Sequence, residues 1–217
     1  MPDKINASKA IAELCRRSLF EFVQVFWDVI IPEDPVWNWH IEYLCDEIQK
    51  DVMRVCRLKE RPAVFDGVRF MMPAKKREPK LHDVLINIPP GSTKSTIISV
   101  MMPAWAWTVD PTLRIINASY SGDLSMDHAV LSRDIIQSDK YKLYFPEIEI
   151  RSDQNNKTDY KNMQTGRRYA TSVGGTIMGI HAHIIIIDDP LNTKQSLSEG
   201  DLPAAAAFVN TTLSTRK

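Results

Sequence analysis

The chain reads as an α/β fold: a mostly parallel sheet flanked by helices, with an N-terminal helical extension and a β-hairpin insertion. Three observations carry that reading. From residue 83 onward, short aliphatic runs alternate with helix-length amphipathic segments, the pattern of strands joined by crossover helices. Ile184–Ile187 is an unbroken isoleucine run, which suits a strand covered on both faces. Before about Arg57, by contrast, the apolar spacing is helical. At 217 residues the whole fits one domain, divisible into the extension, residues 1–60, and the core, residues 61–217.

The elements follow in order. Over residues 7–30, Ile11, Leu14, Leu19, Phe22, Val23, Phe26, Trp27 and Ile30 recur near helical spacing and predict one amphipathic helix, ended by Pro32 and Pro35. Ile41, Leu44, Cys45, Ile48 and Val52 form the stripe of a second helix, His40 to Arg57. Residues 61–82, rich in Pro, Lys and Arg, read as an irregular connection or hairpin. Val84–Ile88 predicts a buried strand, and Lys94–Trp107 a helix interrupted or bent near Pro103. Leu113–Ala118 reads as a strand and Asp123–Gln137 as a helix. Residues 147–178 carry short alternating stretches split by Asn, Asp and Gly, the signature of the hairpin insertion. Residues 199–215 read as helical.

Composition excludes several classes. Net charge is zero, so no global basic field advertises nucleic acid, although Lys75-Lys76-Arg77 with Lys80, and Arg167-Arg168, are local basic runs. A solvated face is the plainer reading of each. Three cysteines, Cys15, Cys45 and Cys56, widely spaced and without a CxxC pair, argue against a disulfide framework or zinc site and fit a reducing compartment. No secretory signal and no long uncharged apolar stretch is present, so no membrane partner is expected.

Between the Val84–Ile88 run and the next helical segment lies Pro89-Pro90-Gly91-Ser92-Thr93-Lys94-Ser95-Thr96. A strand, a loop and a helix N-terminus in that order bring backbone N–H groups and a helix dipole to one point, as a phosphate-binding loop requires. Residues Pro90, Gly91, Ser92, Thr93, Lys94, Ser95 and Thr96 would cradle the phosphates of a nucleotide, with Lys94 on the β- and γ-phosphates and Ser95 on Mg²⁺. The loop departs from G-x-x-x-x-G-K-[ST] at both glycines, where Ile88 and Thr93 stand. A second segment strengthens the reading. After four isoleucines, Asp188 and Asp189 have the form of a Walker B strand end: Asp188 would bind Mg²⁺ and Asp189 would orient the attacking water of ATP. The plain alternative is a buried strand whose Asp-Asp-Pro only starts a turn. Asp189 stands where many such ATPases carry glutamate, one methylene longer, so slow turnover is a live expectation.

An ordered series of segments resembles the N-terminal ATPase region of tailed-phage terminase large subunits, the DNA-packaging motor proteins. The matching stretches are Trp37-Asn38-Trp39-His40-Ile41, Ile86–Gly91 with Lys94-Ser95, Pro103-Ala104-Trp105 and Ala118–Leu124. Further on come Asp153-Gln154-Asn155 with Lys157-Thr158, Ala170–Thr176, Ile187–Pro190 and Ser214-Thr215-Arg216. Terminases with a Pro-Pro-Gly start and no glycine before the lysine make Thr93 resemble a subfamily variant. The resemblance implies a P-loop NTPase-like sheet and ATP hydrolysis with Mg²⁺, coupled to moving double-stranded DNA into a procapsid. It implies a homo-oligomeric ring docked on a portal protein, a small terminase subunit as partner, and action in the cytoplasm of an infected bacterial host. The family's coupling strand and nuclease domain lie beyond the Ser-Thr-Arg stretch, so no nuclease activity is expected of residues 1–217.

A ring ATPase also calls for an arginine reaching a neighbour's γ-phosphate, for which Arg133, Arg168 and Arg216 are candidates; for each, a surface ion pair is the plainer role. Trp37, Trp39 and His40 suit either stacking on a purine or a tryptophan-rich core contact. Ser119-Tyr120-Ser121 ends a strand where ligand-facing residues are usual. His181 and His183 alternate like strand ligands, but without a third ligand nearby they read as ordinary strand histidines. Two other readings stand beside the packaging ATPase: a nucleotide-binding assembly module with little or no hydrolysis, and a helicase-like DNA translocase.

Overall fold

The structure is a computed structural model. It describes residues 3–58, 61–65, 68–78, 82–175, 177, 179–192, 195, 198 and 200–213. The N-terminal periodicity is realised as two helices rather than one, α1 (Asp3–Arg17) and α2 (Leu19–Ile30). The break is at Ser18, whose extended backbone (φ −135°, ψ 121°) lets its hydroxyl accept from the Glu21 amide at 3.1 Å. Ser-x-x-Glu is a capping spacing, and satisfying a free helix-start amide outweighs continuing the apolar stripe. Gln49 of α3 (Trp39–Val55) bridges the break, accepting from the Leu19 amide at 2.6 Å and donating to the Arg17 carbonyl at 2.9 Å. Residues 61–82 include an antiparallel hairpin, β1 (Arg61–Phe65) with β2 (Val68–Met72).

The predicted strand Val84–Ile88 does not form. Val84 and Leu85 are 49% and 93% exposed, while Ile86 and Ile88 lie half-buried against the main core. A strand needs a ladder partner, and among the described residues none pairs with this run. The next helix begins at Lys94 but passes through a π-helical stretch, Thr96–Met101, before α4 (Met102–Val109). Pro103 near the start of α4 has no N–H to give the Ser99 carbonyl, and the regular α pattern is interrupted just before it.

Downstream, β3 (Arg114–Ser119), α5 (Gly122–Gln137), α6 (Asp139–Tyr144), β4 (Ile150–Asn155), β5 (Asp159–Asn162), β6 (Arg167–Ser172) and β7 (Ile184–Ile187) build a five-stranded sheet in the order β4-β5-β6-β3-β7. β3 runs parallel to both β6 and β7, whereas β5 is antiparallel to β4 and β6. Four of the five strands therefore point the same way and β5 alone runs against them, so the sheet is mixed around a parallel β6-β3-β7 core. The expected hairpin is no insertion: it extends the sheet, and β6, which closes it, is a central strand. The last helical segment is α7 (Asp201–Ala207) followed by a π-helical turn, Phe208–Leu213, and residues 214–217 lie outside the described residues.

β7 is covered on both faces, as its four isoleucines predict. Ile184 and Ile186 join the main core, while Ile185 and Ile187 meet a smaller cluster containing Ile116, Ala118 and Phe208. The main core also takes Cys15, Phe22 and Phe26 from the N-terminal helices and Trp105 from α4. Trp105 Nε1 donates to the Cys15 carbonyl at 2.9 Å. The extension and the sheet thus share one core.

Candidate nucleotide site

The site grows from the C-terminal end of β7. The Asp188 amide donates to the Ala118 carbonyl at 2.9 Å, continuing the ladder one residue past the strand. The chain then turns: Asp189 has φ 44°, left-handed, and its carbonyl accepts from the Tyr120 amide at 3.0 Å. Asp188 is left buried and Asp189 exposed at the same sheet edge.

The loop preceding the π-helical stretch comes to the same place. Lys94 Nζ lies 2.7 Å from Asp189 Oδ1 and 3.4 Å from Asp188 Oδ1. Burial pushes the Lys94 pKa down, but the hydrogen bond to Asp189 and the two carboxylate charges push it up further, for a net rise. Loop geometry is set by Gly91 at φ 78° and by Thr93 at φ 59°. Thr93 thus adopts a left-handed backbone that glycine takes without penalty, at a strain of about 1–2 kcal/mol. Left-handed β-branched residues are outliers that structures retain mostly at functional sites. Ser92 Oγ donates to the Pro89 carbonyl at 2.6 Å and the Ile97 amide to the Thr93 carbonyl at 3.0 Å, fixing the loop's two ends.

Two residues that the sequence reading did not single out complete the surroundings of Asp188. Ser99 Oγ donates to Asp188 Oδ2 at 2.9 Å, and His128 Nδ1 of α5 lies 3.8 Å from the same oxygen. Burial lowers the His128 pKa; the Asp188 charge opposes this and the Arg168 charge adds to it. Ser99 sits four residues past Ser95, on one helical face, and that spacing is a usable sequence signal. No local pattern marks His128, which reaches the site through the packing of α5.

Arg168 is buried at 1% exposure, and its Nη2 donates to the Ser99 carbonyl at 2.7 Å. That carbonyl is the one Pro103 cannot serve, so the proline and the buried guanidinium answer each other. Desolvation lowers the Arg168 pKa. Its guanidinium lies inside this chain, with Nε and Nη1 buried and without a hydrogen-bond partner. Of the other trans-arginine candidates, Arg133 is half-buried with Nη1 3.4 Å from Asn155 Oδ1, and Arg216 lies outside the described residues. Trp37 makes edge contacts with Phe20 and Trp27 at 5.7 and 5.4 Å between ring centroids, the core reading, whereas Trp39 is 78% exposed. Ser121 caps α5, accepting from the Asp123 amide at 3.2 Å.

The side chains named for a metal here, Asp188 and Ser95, carry oxygen donors, the type a hard cation such as Mg²⁺ takes. Among the described residues no group of three His, Cys, Asp or Glu side chains is placed to hold a metal. Magnesium in phosphate-handling sites needs only one or two protein oxygens, the rest coming from water and phosphate. The Asp188 carboxylate and the Ser95 hydroxyl are oxygens of that type.

No protein-family model matches the chain, and no curated protein matches its sequence.

Proposed function

We propose that residues 1–217 form the ATPase region of a DNA-packaging terminase large subunit. In this reading the chain binds ATP with Mg²⁺ and drives double-stranded DNA into a procapsid. The observation that supports it is the meeting of Lys94 with Asp188 and Asp189, since residues 94 and 188–189 have no local reason to be neighbours. In this reading Pro90–Thr96 would surround the phosphates, Lys94 would leave Asp189 for the β- and γ-phosphates, and Asp189, freed, would accept a hydrogen bond from the attacking water. Ser95 and Asp188 would hold Mg²⁺, which neutralises charge on the phosphate oxygens when bound. Ser99 holds the Asp188 carboxylate in position, with His128 packed beside it. The ring, the portal, the small subunit and the host cytoplasm follow from the same proposal; no helix among the described residues is long and apolar enough to cross a membrane.

Phosphate release by the purified chain, alone and with duplex DNA, tests the reading. Lys94→Ala should bring it to background, and Asp188→Asn should weaken Mg²⁺-dependent nucleotide binding. Nucleotide binding without release, in wild type and under every assembly condition, would favour the assembly module instead. DNA-stimulated hydrolysis in a chain whose neighbouring genes encode no portal or capsid protein would favour the translocase.

A further inference from the structure

The opposite end of the sheet holds a second cluster of charge that the nucleotide site does not use. A cavity of about 300 Å³ is lined by Arg57, Arg77, Thr112, Arg114, Thr165 and His183. Arg57 follows α3, Arg77 follows β2, Thr112 and Arg114 flank the start of β3, Thr165 precedes β6 and His183 precedes β7. At about 3.3 Å per strand residue, His183 stands roughly 17 Å from Asp188 along β7.

The lining is rich in donors. The nearest carboxylate, Asp110, is buried and already accepts from the Arg57 amide (2.6 Å), Arg77 Nη2 (2.9 Å), the Thr112 amide (3.0 Å) and Thr112 Oγ1 (2.6 Å). A carboxylate offers about four lone-pair sites, so Asp110 has none left for another guanidinium. Among the described residues no carboxylate pairs with the side chain of Arg57 or Arg114. Arg77 Nε is a buried donor without a hydrogen-bond partner. His183 Nδ1 accepts from the Arg114 amide at 3.0 Å, which leaves the proton of the neutral ring on Nε2 as a further donor. Burial, then the charges of Arg77 and Arg114, depress the His183 pKa to about 4, with Asp110 opposing. The field in the cavity is therefore positive even after Asp110 is counted.

We infer that this cavity is a binding site for a phosphate-ester anion, separate from the nucleotide held at Lys94. Unpaired guanidiniums prefer phosphate and carboxylate oxygens, and with those of Arg57 and Arg114, Arg77 beside them and a ring N–H lining one cavity, a phosphate's oxygens satisfy more donors than a carboxylate's two. The volume leaves room for the sugar joined to that phosphate. The phosphate comes either from the backbone of a polynucleotide or from a free nucleotide. This assignment stands on the cavity alone and does not rest on ATP hydrolysis.

The test is a titration of the full chain at low salt with inorganic phosphate, with a nucleoside monophosphate and with a short blunt DNA duplex. It is followed by ³¹P line broadening and by fluorescence anisotropy of the duplex. In a Lys94→Ala background, which removes phosphate bound at the nucleotide site, Arg57→Gln/Arg114→Gln should weaken binding at least tenfold, and Arg57→Lys/Arg114→Lys should restore part of it. Duplex binding with a salt slope that flattens in the glutamine variant identifies the backbone as source; binding of the small anions alone identifies the free nucleotide. If the double variant fails to fold by circular dichroism, Arg57→Gln, at an exposed side chain, gives the same reading. No binding to wild type, or equal binding to wild type and variants, overturns the inference.

Discussion

Lys94 and Asp189 form a 2.7 Å ion pair, and strained backbone stands on both sides of it: Thr93 at φ 59° immediately precedes the lysine, and Asp189 itself has φ 44°. Two of the three non-glycine left-handed residues among those described thus converge on one contact. The pair joins a loop to the end of a strand, so its geometry is imposed by the fold and not by either segment alone.

This strain predicts opposite effects for two neighbouring substitutions. Thr93→Gly removes a left-handed β-branched residue, and should raise stability by up to about 1 kcal/mol after the added freedom of the unfolded chain is subtracted. Gly91→Ala should lower it by about 1 kcal/mol. A Cβ at Gly91 would meet nothing within 4 Å, so the loss there is conformational and not steric. Urea midpoints of the two variants, read against wild type, check both signs.

The pairing of Pro103 with Arg168 can be tested as a cycle. Arg168→Met should destabilise by about 1–3 kcal/mol, because the buried Ser99 carbonyl loses its donor. Adding Pro103→Ala returns an N–H to the helix and should recover part of that loss. Additive effects in the double variant would show that the two residues are independent.

Stability should depend on His183 between pH 4 and 6.5. The unfolded chain takes up this proton near 6.5 and the folded protein only near 4, so the unfolded state binds more protons in between. The contribution is full above pH 6.5 and is lost as pH falls toward 4. Thermal midpoints of wild type and His183→Gln should converge or cross in favour of the variant as pH drops through that window; parallel curves would contradict it.

Cys15, Cys45 and Cys56 are buried free thiols, and burial raises each pKa to about 12. In native buffer an aromatic disulfide reagent should label none of them within minutes, and all three on unfolding. Rapid labelling of the native protein would place at least one thiol at the surface.

Some of this was legible in the chain. Four β-branched residues ending in two carboxylates determine a strand that must be covered on both faces and must end in charge, because no other packing removes that much apolar surface from water. The loop with Lys94 and Ser95 could likewise be read, even without its glycines. Ser18 carries two competing local signals, a Ser-x-x-Glu cap and a position within a longer apolar stripe, and the cap prevails.

The properties of pairs far apart in sequence came from the folded arrangement alone. Val84–Ile88 has a strand's composition and takes no part in a sheet, because ladder hydrogen bonds need a neighbour that composition cannot supply. Arg168 reads as a surface cation and is buried, because a proline sixty-five residues earlier leaves one carbonyl open. His128 reaches Asp188 from another helix, and Arg57, Arg77, Arg114 and His183 share one cavity although they come from four segments. Sequence fixes the chemistry that each residue carries; which charges meet, and which are left without a counter-charge, is settled only when the chain closes on itself.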